Sequence, residues 1–264
     1  MIDIHYINSY YPAQITANAA FQKHIVKEYI QLMVLDYLAA SPYVCKLSFI
    51  GGTNLRLIKR IDRFSEDLDF DCKDLTEQEF TAMTDDIVVF LKREGLNVET
   101  RDKENPRLTA FRRNIYFPEF LFELGLTGHR DERFLLKVEA QDQGIAYPVE
   151  MRSVQRCGFF FSLPVPPDPV LLSMKLSALL ARAKGRDFYD CMFLMEQTGP
   201  SYEFLFQRAG IENSEQLKKA ISDKLSTVDL NVKKKDFEHL LFNSRSSDRI
   251  LHFPEFFNSA ISVR

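Results

Sequence analysis

The first strong pattern in the chain is a helical repeat of apolar residues over 19–40. Apolar side chains recur every three or four positions with further apolar residues beside them, which predicts a long helix with a broad buried face. The segment SPY at 41–43 ends this pattern. The residues that define the period are Phe21, Ile25, Tyr29, Met33 and Tyr37.

After this helix, strands and helices are mixed up to about residue 160. Residues 44–50 predict a strand that ends at Gly51 and Gly52, and the alternation of Asp with Leu and Phe predicts a second strand over 66–71. The remaining predicted elements of this half are helices over 53–61 and 76–94 and strands over 108–117 and 133–141.

Four prolines among the seven residues 163–169 mark a change in organisation. Proline disfavours a helix at the preceding residue and stiffens the chain, so this segment is the best candidate for a domain boundary. We therefore predict an α+β protein with a mixed domain over 1–162, a linker over 163–169 and a helical domain over 170–264. The helices predicted in the last domain span 170–184, 187–197, 201–209, 213–225 and 233–243.

Composition and charge are those of an ordinary soluble globular protein. The 264 residues are 45% hydrophobic and 27% charged, and the net charge of −3 does not indicate nucleic-acid binding, although it allows a local basic patch. The four cysteines lack CxxC or metal-site spacing, which favours buried thiols in a reducing compartment. We see no signal peptide and no apolar run of membrane-spanning length, so we expect a cytoplasmic protein with no membrane partner.

Three aspartates, Asp67, Asp69 and Asp71, fall on one face of the strand predicted over 66–71, because side chains alternate across a strand. Three like charges repel one another unless a positive group lies among them. One interpretation is a metal site, since Mg²⁺ binds one or two carboxylates together with phosphate oxygens and waters. The other interpretation is an exposed edge strand whose acids deter aggregation.

The glycines ahead of the acids favour the metal interpretation. Gly51 and Gly52 allow the backbone to approach a phosphate closely. A helix that begins near Thr53 would present free N–H groups to the same anion. Two metal ions at such a site would stabilise both the attacking and the leaving oxygen of a phosphoryl or nucleotidyl transfer.

Two blocks of sequence resemble a known family. The first, GGTNLRL…RFSEDLDF, is similar to the first motif of DNA-polymerase-β-type nucleotidyltransferases and, more narrowly, to the AbiEii/AbiGii abortive-infection toxins. The second, KLSALLARAKGRDFYD over 175–190, resembles that family's helix that begins with Lys and closes on Arg-Asp-x-x-Asp. The resemblance implies that the first domain is a nucleotidyltransferase-like mixed sheet flanked by helices, working with one or two Mg²⁺ ions.

The resemblance assigns roles to the residues of the first block. Gly51, Gly52 and Thr53 match the turn that contacts phosphate. Asp67 and Asp69 match the metal-binding pair, which makes them the first catalytic candidates.

A third carboxylate from a later strand is usual in the superfamily. Glu139 is the best candidate, because it shares a strand face with Lys137 and Gln141. The alternative for Glu139 is an ordinary solvated strand face. Ser65 stands where some relatives carry a modifiable hydroxyl, and we place it among the nucleotide-binding residues.

The second block contributes cations. Lys175 is the matching lysine, with Arg182 seven and Arg186 eleven residues further on, so one continued helix would place all three on a single face. Such a row suits a triphosphate. Two alternatives stand beside it: the cations are surface charges, or Gly185 ends the helix and removes Arg186 from the row.

Two aspartates close the second block. Asp187 is either the N-cap of the helix over 187–197 or the family's catalytic acid. Asp190 lies one turn inside that helix, and we favour it as the acid that orients Lys175 through a salt bridge.

Together these assignments predict an enzyme that transfers a nucleoside monophosphate from an NTP to an acceptor, and tRNA ends are among the acceptors that the resemblance implies. It also implies the toxin half of a toxin–antitoxin or phage-defence system, whose antitoxin is often a transcriptional regulator. The alternative is a nucleotide- or RNA-binding module that has lost turnover, against which the intact acids and Lys175 argue. The basic run NVKKKDF at 231–237, followed by Arg245 and Arg249, is either a nucleic-acid contact or solvated surface.

Overall fold

The computed structural model describes residues 2–101 and 109–262. Leu108, with which the predicted strand over 108–117 begins, lies outside the described residues. The chain divides into two compact units whose segments interleave along the sequence. The first unit comprises 1–60, 64–143 and 150–165, and the second comprises 61–63, 144–149 and 166–264.

The described residues form strands, α-helices and short 3₁₀ helices. The strands are β1 (Leu47–Ile50), β2 (Asp67–Cys72), β3 (Glu99–Thr100), β4 (Phe111–Tyr116), β5 (Leu135–Gln141), β6 (Glu150–Arg156) and β7 (Phe159–Val165). The α-helices are α1 (Ile4–Asn8), α2 (Ala13–Thr16), α3 (Ala19–Ala39), α4 (Gly51–Leu57), α5 (Glu77–Arg93), α6 (Phe120–Glu123), α7 (Asp168–Arg182), α8 (Gly185–Met195), α9 (Tyr202–Ala209), α10 (Ser214–Leu225), α11 (Leu230–Lys233) and α12 (Phe253–Ser262). The 3₁₀ helices are Pro42–Lys46, Lys234–Asp236, Glu238–Leu240 and Ser244–His252.

A five-stranded sheet in the order β1-β2-β5-β4-β3 lies at the centre of the first unit. β2 and β5 run parallel, and the other neighbouring pairs are antiparallel. The predicted mixed sheet flanked by helices is therefore confirmed. Because β2 has a neighbour on each side, the alternative of an acidic edge strand is wrong.

Alternation decides which side chains of the sheet are buried. Leu68 and Phe70 are buried in β2, whereas Asp67 and Asp69 on the opposite face are half-buried. β5 repeats the pattern, with Leu136, Val138 and Ala140 fully buried and its polar residues between them. The acids thus remain accessible on one face because the apolar residues between them fill the core on the other.

A buried ion cluster ties α3 to α4, the helix that follows β1. Glu28 of α3 is 1% exposed and accepts hydrogen bonds from Arg56 of α4 at 2.7 Å and from Tyr11 at 2.9 Å. Arg156 of β6 reaches the same carboxylate at 2.5 Å. Burial alone raises the pKa of Glu28, but the two guanidinium groups lower it below its ordinary value. A buried charge with this many partners holds α4 at a defined position on the sheet.

A second, two-stranded sheet consists of the β6–β7 hairpin, which the apolar pattern did not predict. Cys157 and Gly158 connect its strands and both have positive φ, as a tight hairpin turn requires. β7 extends through Pro164 to Val165, so the first residues of the predicted linker over 163–169 belong to a strand, and α7 already begins at Asp168. The chain passes from the first unit to the second for the last time between Val165 and Pro166.

The second unit is mainly helical, with α7 and α8 packed together and α9, α10 and α12 around them. Leu172, Leu176 and Leu179 of α7 are fully buried, and Phe188 of α8 meets Phe253 edge-on with ring centroids 5.0 Å apart. The predicted helix over 233–243 is wrong, because this stretch consists of the end of α11 and two separate 3₁₀ helices. Within the described part of the chain, no helix combines the length and the apolar character needed to cross a membrane.

Candidate functional site

The parallel pairing of β2 with β5 builds the acidic face. Asp67 lies opposite Lys137 and Asp69 opposite Glu139, so all four side chains point to the same side of the sheet. The prediction that Glu139 shares a face with Lys137 therefore extends to the two aspartates. Chain folding brings together residues that are about seventy positions apart in the sequence.

Lys137 is the positive group among the acids. Its Nζ lies 2.8 Å from Asp67 Oδ2 and 3.6 Å from Glu139 Oε1. Burial by itself lowers the pKa of Lys137, but the carboxylates of Asp67, Glu139 and Asp69 outweigh it, so the pKa is raised and the side chain stays charged. The like-charge repulsion expected from the sequence is thus offset by a side chain of the neighbouring strand.

Glu139 has a second cationic partner on its other side. Arg112 of β4 lies opposite Glu139 in the register and forms an ion pair with it. Among the described residues, no group of three or more Asp, Glu, His or Cys side chains is arranged to hold a metal ion. The structure places Glu139 beside the aspartates, but in contact with Arg112 and Lys137.

The glycine turn lies directly against Asp69. Gly51 has φ +79°, in the left-handed region, and a Cβ atom added there would lie only 2.7 Å from Asp69 Cβ. The helix α4 begins at Gly51, two residues before the predicted start. Gly51 and Gly52 therefore form the first turn of a helix that starts beside the acids.

Thr53 has a contact that the sequence did not predict. Its side chain is fully buried, and its Oγ1 donates to the backbone oxygen of Asp67 at 2.5 Å. This bond links the first turn of α4 to the start of β2. A hydroxyl has a single proton to donate, so in this arrangement Thr53 joins the turn to the acidic strand instead of offering that proton to a phosphate.

The neighbouring polar residues are mostly buried. Ser65 is 8% exposed, and its backbone oxygen accepts a hydrogen bond from Gln31 Nε2 at 3.2 Å. Asp71 is 2% exposed and accepts from the Gln143 N–H at 3.0 Å, so it serves the chain connection after β5. Lys27 of α3 is 7% exposed. Burial lowers the pKa of Lys27, and the nearby carboxylates of Glu66 and Asp67 offset only part of this effect.

The second block forms a buried ion cluster within the second unit. Lys175 Nζ lies 2.8 Å from Asp190 Oδ2, the salt bridge expected from the sequence. Arg63 binds the same carboxylate as a fork, with Nε 2.8 Å from Oδ1 and Nη2 2.7 Å from Oδ2. Burial alone raises the pKa of Asp190, but Arg63 and Lys175 lower it to about 2. Lys175 is therefore held in place by an acid that stays ionised.

A second ion pair joins the same two helices. Arg182 donates to both oxygens of Asp187, at 2.8 and 2.9 Å, and Asp187 also accepts from the Lys184 N–H at 3.1 Å. The N-cap position of α8 is Lys184, so Asp187 is not the N-cap but lies three residues beyond it. Asp187 nevertheless accepts a hydrogen bond from a backbone N–H at the start of that helix, where such groups have no partner within the helix.

The prediction that Lys175, Arg182 and Arg186 line one face of a single helix is wrong. α7 ends at Arg182, Ala183 adopts a left-handed conformation, and a new helix begins at Gly185. Gly185 is required there because an added Cβ would collide with the backbone oxygen of Lys233. Arg186 lies in the first turn of α8 and does not continue the face that carries Lys175 and Arg182.

Sequence reasoning missed Arg63 and Arg112, and it placed Lys137 beside Glu139 without identifying it as a partner of the predicted acids. Lys137 and Arg112 lie on neighbouring strands, and their partners follow only from the register. Arg63 carried a signal, because it stands inside the quoted block RFSEDLDF and a buried arginine needs a carboxylate partner.

Comparisons with known proteins identify the family and similar folds. The family model described as "Nucleotidyl transferase AbiEii toxin, Type IV TA system" matches residues 34–252. The nucleotidyltransferase toxin MenT4 (Rv2826c) from Mycobacterium tuberculosis H37Rv has a similar structure, with a TM-score of 0.56 and 17% identity over 83% of this chain and 69% of that one. JHP933 from Helicobacter pylori gives a TM-score of 0.55 and 19% identity over 91% and 92% of the two chains.

These structural likenesses concern the fold, since the identities are low. No curated protein sequence matches the chain. The family model, in contrast, covers most of the chain, including both the acidic strand and the ion cluster of α7 and α8. The chain therefore belongs to the AbiEii family of nucleotidyltransferase toxins of type IV toxin–antitoxin systems.

Proposed function

We propose that this protein transfers a nucleoside monophosphate from an NTP to an acceptor, with Mg²⁺ bound by Asp67 and Asp69. The observation that supports this proposal most directly is that these two carboxylates share one accessible face of β2, beside the turn at Gly51. In this proposal the acceptor is a tRNA end, and the protein is the toxin that a cognate antitoxin restrains.

The donor set fits a hard divalent cation. Asp67 and Asp69 supply oxygen ligands from the same side of one strand, and Mg²⁺ needs only one or two carboxylates when phosphate oxygens and waters complete its shell. Lys137 contacts Oδ2 of Asp67, and a carboxylate can accept on both oxygens, so Oδ1 retains its capacity as a ligand. When bound, the ion would neutralise charge on the reacting phosphate.

The residues of the chain would do the remaining work by position and charge. Gly51 keeps the turn close to Asp69 and brings the first N–H groups of α4 to the same place. Thr53 fixes that turn to β2 through the backbone of Asp67. Lys137 pairs with Asp67 and Glu139 and so holds these two acids close together before any nucleotide arrives.

Lys175 is our candidate for the lysine that binds the triphosphate. Asp190, which Arg63 holds in turn, keeps the Lys175 ammonium group in one position, which reduces the entropy lost when it contacts a ligand. Arg182 already forms an ion pair with Asp187, and this pair limits what Arg182 would contribute to triphosphate binding.

An RNA acceptor has modest support from the surface of the second unit. Lys235 and Arg245 are exposed, whereas Lys234 of the same basic run lies 2.6 Å from Asp248. Nucleic-acid binding that depends on such residues weakens as salt concentration rises. Transfer to tRNA should therefore fall with increasing salt more steeply than nucleotide binding does.

The test is transfer of radiolabelled nucleotide to tRNA, with each of the four NTPs and Mg²⁺. Asp67→Asn and Asp69→Asn should abolish transfer while leaving the melting temperature within a few degrees, because side chains exposed this far contribute little to stability. Glu132→Gln is the matched control, since Glu132 also forms a partly exposed pair with a lysine, Lys23, at 3.1 Å. It should transfer like the wild type.

Thermal shifts separate an enzyme from a binding module. An NTP with Mg²⁺ should raise the melting temperature of the wild type, and Asp67→Asn should lose the part of this gain that depends on Mg²⁺. A normal shift without transfer to any tested acceptor would favour a binding module that has lost turnover. No shift with any NTP would contradict both functions.

A further inference from the structure

Two rows of side chains cross the acidic face from β2 through β5 to β4. The first row contains Asp67, Lys137 and Asn114, and the second contains Asp69, Glu139 and Arg112. Each row therefore has one cation and at least one carboxylate. Three carboxylates meet two cationic side chains, which leaves one net negative charge on this part of the face.

The position of Lys137 matters for how many metal ions the face can hold. Its ammonium group is within 4 Å of both Asp67 and Glu139, so it lies between the two carboxylates that would bridge to a second ion. Arg112 contacts Glu139 as well. A divalent cation held by Asp67 and Glu139 would lie next to one or two fixed positive charges, and like charges at this range repel strongly.

We propose that the site holds a single divalent cation, on Asp67 and Asp69, and that the Lys137 ammonium supplies the positive charge that a second ion would otherwise bring. Glu139 is then not a metal ligand but the residue that positions Lys137, with Arg112 holding Glu139 in turn. This inference rests on the proposed function, because it concerns the same metal site.

The test counts bound metal directly. Mn²⁺ replaces Mg²⁺, and electron paramagnetic resonance measures the free ion in titrations of the full chain, with Mn²⁺ alone and with each of the four α,β-methylene NTP analogues. With protein and analogue at equal concentrations well above their dissociation constant, the bound Mn²⁺ per protein counts every ion of the complex, including an ion that the carboxylates share with the phosphates. We expect one for the wild type.

Removal of the ammonium should open a second site. Lys137→Met keeps most of the side-chain volume and leaves Glu139 with Arg112 alone, so the count should rise from one to two. Adding Glu139→Gln to that variant should return it to one. Lys46→Met is the control, because Lys46 forms a 2.6 Å pair with Glu79 elsewhere in the same unit, and its count should stay at one.

The outcomes are separable from those that test the proposed function. Two ions in the wild type, or one ion in Lys137→Met, would overturn the single-ion inference while leaving a metal-dependent enzyme in place. No bound ion in the wild type would overturn the metal site itself. Lys137→Gln provides a second variant with the same expected count if the Met variant does not fold.

Discussion

Replacing Gly51 with alanine should test whether the glycine turn positions Asp69. Two costs apply at this position. A φ of +79° strains any residue with a Cβ, by about 1–2 kcal/mol. The added Cβ would also lie 2.7 Å from Asp69 Cβ, about 0.7 Å closer than the 3.4 Å at which ordinary contact begins. Either the turn or Asp69 must move by at least that amount, because the carboxylate Oδ2 of Asp69 would lie closer still to the added Cβ.

A movement of this size is large for a reacting site. A misplacement of about 1 Å can cost on the order of 10²-fold in rate. We therefore expect Gly51→Ala to lower the initial rate of nucleotide transfer by roughly that factor, and to lower the free energy of unfolding by about 1–3 kcal/mol. Transfer of labelled nucleotide and urea unfolding measure the two effects separately.

Gly95 provides a matched control. It has a similar φ of +84°, but an added Cβ would meet no atom within 4 Å. Gly95→Ala should therefore show the backbone strain alone, with a loss of stability of about 1–2 kcal/mol and a normal transfer rate. If Gly51→Ala retained the wild-type rate, or if both variants lost activity equally, contact between the turn and Asp69 would have no part in catalysis.

The remaining predictions concern the ion cluster of the second unit. Lys175→Ala should lower the transfer rate on the order of 10²–10³-fold. Because this lysine is 8% exposed, the substitution should also reduce stability. Lys184→Ala, at an exposed lysine, should change neither quantity, and equal rates for the two variants would exclude Lys175 from the active site. Arg63→Lys should destabilise the fold despite the retained charge, since an ammonium cannot replace the fork on Asp190, and an unchanged urea midpoint would contradict this. The pKa of Asp190 is about 2 in the fold against an ordinary 3.8, so the ionised cluster contributes about 2 kcal/mol above pH 4 and loses this as the pH falls towards 2. The gap in unfolding free energy between wild type and Asp190→Asn should narrow over that range, and a constant gap would contradict the assignment.

Local periodicity was sufficient to predict the acidic face. A strand places every second side chain on one side, so Asp67 and Asp69 had to lie together once 66–71 was interpreted as a strand. The same logic placed Glu139 with Lys137. What periodicity does not contain is the register between strands that are far apart in sequence, and this register decides that Lys137 lies opposite Asp67.

The errors in the predicted strands and helices also have physical causes. The hairpin strand β6 escaped prediction because its residues EMRSVQR alternate weakly, with Val154 its only fully buried apolar residue. The predicted helix over 233–243 fails because Gly185 packs against the backbone of Lys233 and its N–H donates a hydrogen bond to the Asp236 carboxylate at 3.1 Å, which holds that stretch in short turns. Tertiary contacts override helical propensity in such segments.

Both units meet the same electrostatic problem, that of stabilising carboxylates beside a core, and exposure distinguishes their solutions. In the first unit the side chains of Asp67 and Lys137 are each 24% exposed, so water reaches the pair and its net stabilisation is small, at about 0–1 kcal/mol. In the second unit Asp190 is fully buried and Arg63 is 1% exposed, so removal of one partner leaves an uncompensated charge at a cost of about 3–5 kcal/mol. A weakly held, hydrated pair can rearrange around a cation and a triphosphate, whereas a buried cluster cannot. The acidic face is therefore the part suited to exchange ligands, whereas the cluster on α8 holds the Lys175 ammonium in a fixed position within the second unit.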